Sequence, residues 1–162
     1  MLLSNKYRTN TGLLLILLSF FSLKGCEQYD YNSQFYLLSG EQKALSDYRG
    51  EWLLINFWAE WCRPCLEEIP DLNQLHQKKD ALNLSVLAVS YEPEANERLL
   101  SAKQRFNMEY PMMATDPEPR VPFTRPNKLP AFYLVTPQGE ITGPFYGKES
   151  LQEVEQRIQA TE

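Results

Sequence analysis

Two cysteines separated by two residues lie near the middle of the chain, in Trp61-Cys62-Arg63-Pro64-Cys65. This spacing allows a disulfide when the second cysteine lies in the first turn of a helix. The first cysteine is then at the helix N-terminus, where unpaired N–H groups and the helix dipole favour a thiolate. A thiolate beside a second thiol is a two-electron redox pair.

Other interpretations of the same motif have less support. Half of a zinc site needs two further ligands, but the 162 residues contain one histidine, His76, and one other cysteine, Cys26, which lies outside the folded domain. A purely structural disulfide across two residues closes almost no loop and stabilises little. A vestigial motif is the remaining alternative. The spacing therefore favours a redox pair.

The elements around the motif are those that would position it. An apolar run over 53–59 predicts a buried strand before the cysteines. Apolar residues at helical spacing predict a helix after them, with a kink at Pro70. A β-branched run over 84–90 predicts a central parallel strand.

The rest of the chain completes an α/β pattern. We expect a helical face over 95–106, a short edge-like segment over 110–114, a hairpin of 131–135 with 141–146, and a last helix capped by Ser150 and Glu153. The element order β-β-α-β-α-β-β-α predicts a mixed central sheet with helices on both faces.

The cysteine motif within Asn56-Phe57-Trp58-Ala59-Glu60-Trp61-Cys62-Arg63-Pro64-Cys65 resembles the thioredoxin superfamily, together with Leu129-Pro130-Ala131-Phe132 and the turn at Gly139. Within that superfamily the chain is most similar to the exported TlpA-like thiol–disulfide oxidoreductases. The similarity runs from about Phe35 to the C-terminus. It implies a thioredoxin-like fold and an activity on protein disulfides.

The resemblance also implies roles for individual residues. Cys62 is the expected nucleophile and Cys65 the resolving thiol. Glu68, three residues after Cys65, matches the acidic residue of the TlpA-like proteins; it is expected to raise the pKa of the thiols and accept a proton from Cys65. Its alternative is a solvated helix residue, which we expect Glu67 to be. Asn56 replaces the acidic residue of cytosolic thioredoxin.

The expected substrate contacts surround the two cysteines. Trp61 is predicted to lie over the active-site surface, Arg63 and Pro64 to tune the pair or contact a partner, and Leu129 to offer its backbone to a substrate. Pro130 resembles the superfamily's cis-proline. A Pro-rich loop over 115–128 precedes this proline. Its cations either shape partner choice or are solvated; they are Arg120, Arg125 and Lys128.

The N-terminal residues predict export. Residues 1–25 combine Lys6 and Arg8 with an apolar run that is too short for a comfortable membrane span. Leu23-Lys24-Gly25-Cys26 resembles a bacterial lipobox, although a small residue is usual where Lys24 stands, so Cys26 is the expected lipidation site. The alternatives are an ordinary cleaved signal or an uncleaved anchor. We expect a tether over 26–33 and a thioredoxin-like domain over 34–162.

Composition limits the partners. The chain carries a formal net charge of −5, and its exported part is more acidic still, which argues against nucleic-acid binding. We expect a monomer on the extracytoplasmic side of the cell envelope, reducing protein disulfides with electrons from a membrane thiol donor and needing no metal or organic cofactor. The alternatives are a disulfide-donating oxidase or isomerase, and a non-enzymatic metal-delivery or binding module.

Overall fold

The computed structural model describes residues 33–148 and 150–160. The predicted export signal, the lipidation site Cys26 and nearly all of the predicted tether lie outside these residues. Within the described part of the chain, no helix is both long and apolar enough to cross a membrane.

A four-stranded sheet forms the centre of the fold, in the order β4-β3-β5-β6. Its strands are β3 (Trp52–Trp58), β4 (Leu84–Ser90), β5 (Ala131–Val135) and β6 (Ile141–Tyr146). Strand β3 pairs parallel with β4 and antiparallel with β5, and β5 pairs antiparallel with β6. The predicted mixed sheet is therefore confirmed.

Strand β4 is parallel, as predicted, but it is not central. It ends the row of the four strands, and its outer side receives one isolated bridge, from Met112 to Ala88, rather than a full strand. Ala88 donates its N–H to the carbonyl of Pro111 at 2.9 Å and accepts from the N–H of Met113 at 2.9 Å. The apolar run therefore reflects burial under the segment 111–113, which sequence periodicity cannot distinguish from burial between two strands.

Helices α1 (Arg63–Gln77), α2 (Lys79–Leu82), α3 (Asn96–Arg105) and α4 (Leu151–Gln159) follow the strands. Helix α1 runs on through Pro70. The predicted capping box of α4 is present: Glu153 donates its N–H to Ser150 Oγ at 3.4 Å, and Ser150 donates its N–H to Glu153 Oε2 at 2.7 Å.

The two faces of the sheet are covered differently. Side chains alternate along β3, so Leu54 and Trp58 join the core shared with α1, α3 and α4, whereas Leu53, Ile55 and Phe57 point to the other face. That second face is covered by a short 3-10 helix (Leu45–Tyr48), by a two-stranded sheet and by the Pro-rich loop. The two strands of this small sheet are β1 (Phe35–Tyr36) and β2 (Gln42–Lys43). The prediction of helices on both faces therefore holds on this second face only for the 3-10 helix, because the loop, whose prolines disfavour an α-helix, takes the place of one.

The edge strand β6 is irregular. The pairing of β5 with β6 changes register between Phe132 and Leu134, opposite Gly143 and Pro144. A Cβ at Gly143 would lie 3.0 Å from the carbonyl oxygen of Phe132, and its φ of +117° is one that other residues rarely adopt. Glycine is therefore required where β6 bends toward β5.

Candidate active site

The two cysteines form a disulfide at the start of α1. Cys62 is the N-cap residue, and its Sγ accepts a hydrogen bond from the N–H of Cys65 at 3.3 Å. Cys65 lies in the first turn, as the spacing predicts. Because the first N–H groups of a helix have no partner within the helix, they are oriented to stabilise a thiolate at Cys62.

Both cysteines are buried in this disulfide form, Cys62 at 4% exposure and Cys65 at 1%. Substrate can therefore approach Cys62 over only a small part of its surface. Pro64 is exposed in the first turn, where a missing N–H costs no hydrogen bond. The Arg63 side chain is 89% exposed and pairs with Glu67 at 3.0 Å, so Arg63 and Pro64 both lie in solvent at the start of the helix.

Glu68 occupies the opposite environment from Glu67. It is 4% exposed and lies one turn below Cys65 on the buried face of α1. Asn56 of β3 donates from Nδ2 to Glu68 Oε1 at 2.7 Å. This buried hydrogen bond holds the carboxylate beneath the disulfide, whereas Glu67 lies in solvent.

Tyr110 is a neighbour of this carboxylate that sequence reasoning missed. It is fully buried in the core beneath α1. Burial, and then the nearby charge of Glu68, raises the pKa of its phenol above the usual range. The sequence gives no signal that Tyr110 lies near Glu68. Its place in the fold depends on how the segment 111–113, which directly follows it, bridges to β4.

Trp61 covers the surface beside the disulfide. It is 62% exposed, and its indole Nε1 donates to Glu92 Oε2 at 3.1 Å. Its ring meets that of Tyr91 edge-on, with 6.1 Å between centroids. Trp58 lies in the core at 1% exposure. The two tryptophans are thus divided between the surface and the core.

Pro130 lies at the same edge of the sheet as the cysteines. The register pairs Ala131 with Phe57, which places Pro130 beside the end of β3, just before the turn that leads to Cys62. The Leu129–Pro130 peptide bond is cis, as the resemblance implied. Leu129 is half-buried and packs against the cores on both faces of the sheet.

The three cations of the Pro-rich loop have different surroundings. Arg120 donates to the side chain of Gln34 at 2.6 Å. The guanidinium of Arg125 lies 5.5 Å from the centroid of the Tyr91 ring, and Lys128 Nζ lies 4.7 Å from that of Tyr146. Arg125 and Lys128 therefore stand over aromatic rings, while Arg120 ties the loop to the start of the domain.

Among the described residues, no group of three or more His, Cys, Asp or Glu side chains is placed to hold a metal ion. A disulfide at a helix N-terminus, on a mixed sheet with a cis-proline at the same edge, defines a thiol–disulfide oxidoreductase of the thioredoxin superfamily. The predicted superfamily and fold are thereby confirmed.

The chain belongs to the AhpC/TSA family, whose model matches residues 21–143. It is 31% identical over 123 residues to thioredoxin-like protein YneN of Bacillus subtilis, covering 75% of this chain and 71% of that protein. It is 27% identical over 124 residues to the thiol-disulfide oxidoreductase ResA of Geobacillus kaustophilus, covering 76% of this chain and 70% of the relative.

Solved structures show the same fold. The structure of MTB dsbF in its mixed oxidized and reduced forms matches with a TM-score of 0.64 at 19% identity, over 80% of this chain and 94% of that one. StoA from Bacillus subtilis matches with a TM-score of 0.58 at 16% identity, over 76% of this chain and 92% of StoA.

Proposed function

We propose that this chain is an extracytoplasmic reductase of protein disulfides. The observation that carries the direction of electron flow is the buried carboxylate of Glu68, one turn below Cys65 and held by Asn56 at 2.7 Å. A negative charge there opposes a thiolate in the reduced protein. By offsetting the stabilisation that the helix N-terminus gives to a thiolate, this charge makes the dithiol give up its electrons more readily, which is the property of a reductant.

The reaction proceeds through a mixed disulfide. The Cys62 thiolate attacks one sulfur of the substrate disulfide, forms a Cys62–substrate bond and expels the other substrate sulfur as a thiolate, which takes a proton. Cys65 then transfers its proton to Glu68 and attacks Cys62 Sγ. The second substrate thiol leaves and the Cys62–Cys65 disulfide forms. Two electrons pass from the dithiol to the substrate.

Surrounding residues hold the substrate during these steps. Trp61, Arg63 and Pro64 present exposed surface on one side of the disulfide. On the other side, the backbone of Leu129 before cis-Pro130 pairs with an extended substrate segment, as the resemblance implies. A second, membrane-bound dithiol returns the protein to its reduced form, because each turnover leaves Cys62 and Cys65 oxidised.

The proposed location is the outer side of a bacterial cytoplasmic membrane or the periplasm, with a monomer tethered through lipid on Cys26. The support is the basic and apolar character of residues 1–25, the lipobox-like Leu23-Lys24-Gly25-Cys26 and a mature chain of negative charge. Among the structural neighbours, proteins from Mycobacterium tuberculosis and Corynebacterium glutamicum are described as secreted. Mass spectrometry of the mature N-terminus, compared with a Cys26→Ser variant, tests the lipid.

An isomerase is the second candidate. One structural neighbour is described as a secreted thiol-disulfide isomerase, from Corynebacterium glutamicum. The two functions differ in the redox state that the protein keeps in the cell, since a reductase must be held largely reduced.

One experiment separates these functions. In the native envelope, the Cys65→Ser variant leaves Cys62 joined to its substrates by mixed disulfides, which can be isolated. Alkylation of the wild-type chain reports the redox state of Cys62 and Cys65. We expect a wild-type pair that is mainly reduced and trapped proteins that carry disulfides. A pair that is oxidised at steady state, with trapped proteins that gain disulfides from it, would refute the reductase.

A further inference from the structure

A pocket of about 540 Å³ opens on the second face of the sheet. Its lining includes Phe57 and Val89 of the sheet, Met113 of the segment that bridges to β4, and Val121 and Phe123 of the Pro-rich loop. A loop that contributes isolated side chains covers this face less completely than an α-helix would. The volume lies within the range of pockets that bind small organic groups, and most of its lining residues are apolar.

This Phe57 pocket opens at the edge of the sheet that carries the disulfide. Phe57 and Val89 are the next-to-last residues of β3 and β4, and the cysteine motif begins directly beyond β3. Leu129, next to cis-Pro130, packs both against the core that contains the two cysteines and against the core that contains Phe57 and Val89. A polypeptide bound beside cis-Pro130 therefore passes close to both the disulfide and the pocket.

One wall of the Phe57 pocket carries a cation. Arg125 lines it, and its guanidinium lies over Tyr91, whose ring meets Trp61 next to Cys62. Among the residues that the structure describes, no carboxylate lies within ion-pair distance of Arg125. Glu118 also lines the pocket. Arg125, however, lies toward the disulfide, because its guanidinium stands over Tyr91 and Tyr91 contacts Trp61.

We propose that the Phe57 pocket binds an apolar, preferably aromatic, side chain of the substrate polypeptide, while Arg125 pairs with a carboxylate near the substrate cysteine. The apolar lining specifies the first group and the guanidinium specifies the second. In a protein of net charge −5, this local cation offsets the general repulsion of an acidic segment. The inference rests on the proposed function and names the class of polypeptide segment that the protein would reduce.

Peptide disulfides test the proposal. Each short peptide carries one cysteine that is joined to glutathione through a disulfide. Phe or Ala is placed at each flanking position in turn, and Asp or Lys is placed at another position beside the cysteine. The pre-reduced full chain is mixed with each peptide, and the second-order rate of oxidation of its Cys62–Cys65 pair is measured. Rates are normalised to those with an aromatic dithio reagent that is too small to span both sites.

For the wild-type chain we expect Phe to exceed Ala at least tenfold at one flanking position, because the pocket removes far more apolar surface of an aromatic ring than of a methyl group from water. We expect Asp to exceed Lys about threefold or more, because Arg125 attracts one charge and repels the other. Val121→Phe fills the pocket and should remove the Phe preference. Arg125→Gln should remove the Asp preference, whereas the matched control Arg120→Gln, whose partner is Gln34, should keep it.

Equal rates with Phe and Ala at every position would overturn the proposal that the Phe57 pocket binds a substrate side chain. A Phe preference that is unchanged in Val121→Phe would overturn it as well. An equal effect of Arg125→Gln and Arg120→Gln overturns the pairing with Arg125. If circular dichroism shows that Val121→Phe is unfolded, Val121→Ile supplies a smaller obstruction with a partial loss. Failure of the proposed function is distinct, because it would appear as a Cys62–Cys65 pair that is oxidised at steady state in the cell, whereas these side-chain preferences are measured on pre-reduced protein.

Discussion

Removing the charge of Glu68 is the sharpest test of how this protein sets its thiol chemistry. Glu68→Gln keeps the shape of the side chain and an acceptor oxygen for the Asn56 amide, but it removes the negative charge beneath Cys65. The thiolate of the reduced protein should then form at lower pH. Because a stabilised thiolate stabilises the reduced protein, the reduction potential should rise as well.

The magnitude follows from the helix. Cys65 and Glu68 are three residues apart on α1, a spacing that puts their Cβ atoms about 5–6 Å apart, and both side chains are buried. At about 6 Å and an effective dielectric constant of about 20, two unit charges interact by about 3 kcal/mol. Since one pH unit corresponds to about 1.4 kcal/mol, the titration of the Cys65 thiol should move down by up to about two pH units.

The assay isolates one thiol at a time. In a background that carries both Cys26→Ser and Cys62→Ser, the ultraviolet absorbance of the Cys65 thiolate is followed against pH, with Glu68 intact and with the Glu68→Gln substitution. The matched control is Glu67→Gln, which removes the same charge one residue away, where the side chain is exposed and paired with Arg63 at 3.0 Å. We expect almost no shift in the control, because solvent screens that charge.

Equal titration curves with and without Glu68→Gln would refute the reasoning, and so would an equal shift in Glu67→Gln. In the two-cysteine protein, equilibration with glutathione should show a potential raised by tens of millivolts in Glu68→Gln, since about 30 mV corresponds to about 1.4 kcal/mol for two electrons.

Three further predictions concern stability. Leu54→Ala, at a side chain 1% exposed in the centre of β3, should lower the free energy of unfolding by about 2–5 kcal/mol in urea, and a loss below about 1 kcal/mol would contradict its place in the core. Ser150→Ala should cost about 1 kcal/mol in the same assay through loss of the α4 cap, and an unchanged midpoint would show that the cap contributes nothing. Burial, and then the charges of nearby lysines, lowers the pKa of His76 below its usual value of 6.5, so the unfolded chain binds more protons and stability falls as pH drops through that value. His76→Gln should therefore lose less stability than the wild-type protein between about pH 7.5 and about pH 5, and parallel losses would contradict this.

Much of the site can be predicted from the sequence because its parts are local. The spacing of Cys62 and Cys65 follows from the first turn of one helix, whereas the buried position of Glu68 is expected only from the resemblance. Pro130 is assigned by resemblance, and the register of β5 on β3 then places it beside the cysteines. These features depend on few elements, and each element has a clear pattern of apolar residues.

The parts that cannot be predicted depend on irregular segments. A run such as 84–90 has the same pattern whether its outer side meets a strand or the short segment 111–113, so the prediction of a central β4 is wrong. The same segment brings Tyr110 under the active site. The Phe57 pocket depends on the path of the Pro-rich loop, and no periodicity specifies such a path.

The irregularity of β6 affects whether substrate polypeptides can add to the edge of the sheet. A protein of the proposed function repeatedly meets extended polypeptides, which readily add to an open sheet edge. At the outer edge of the described sheet, Pro144 has no N–H to donate, and the register shift opposite Gly143 and Pro144 breaks the ladder. The edge is therefore a poor template for co-aggregation, and the proposed substrate pairing is confined to the segment before cis-Pro130.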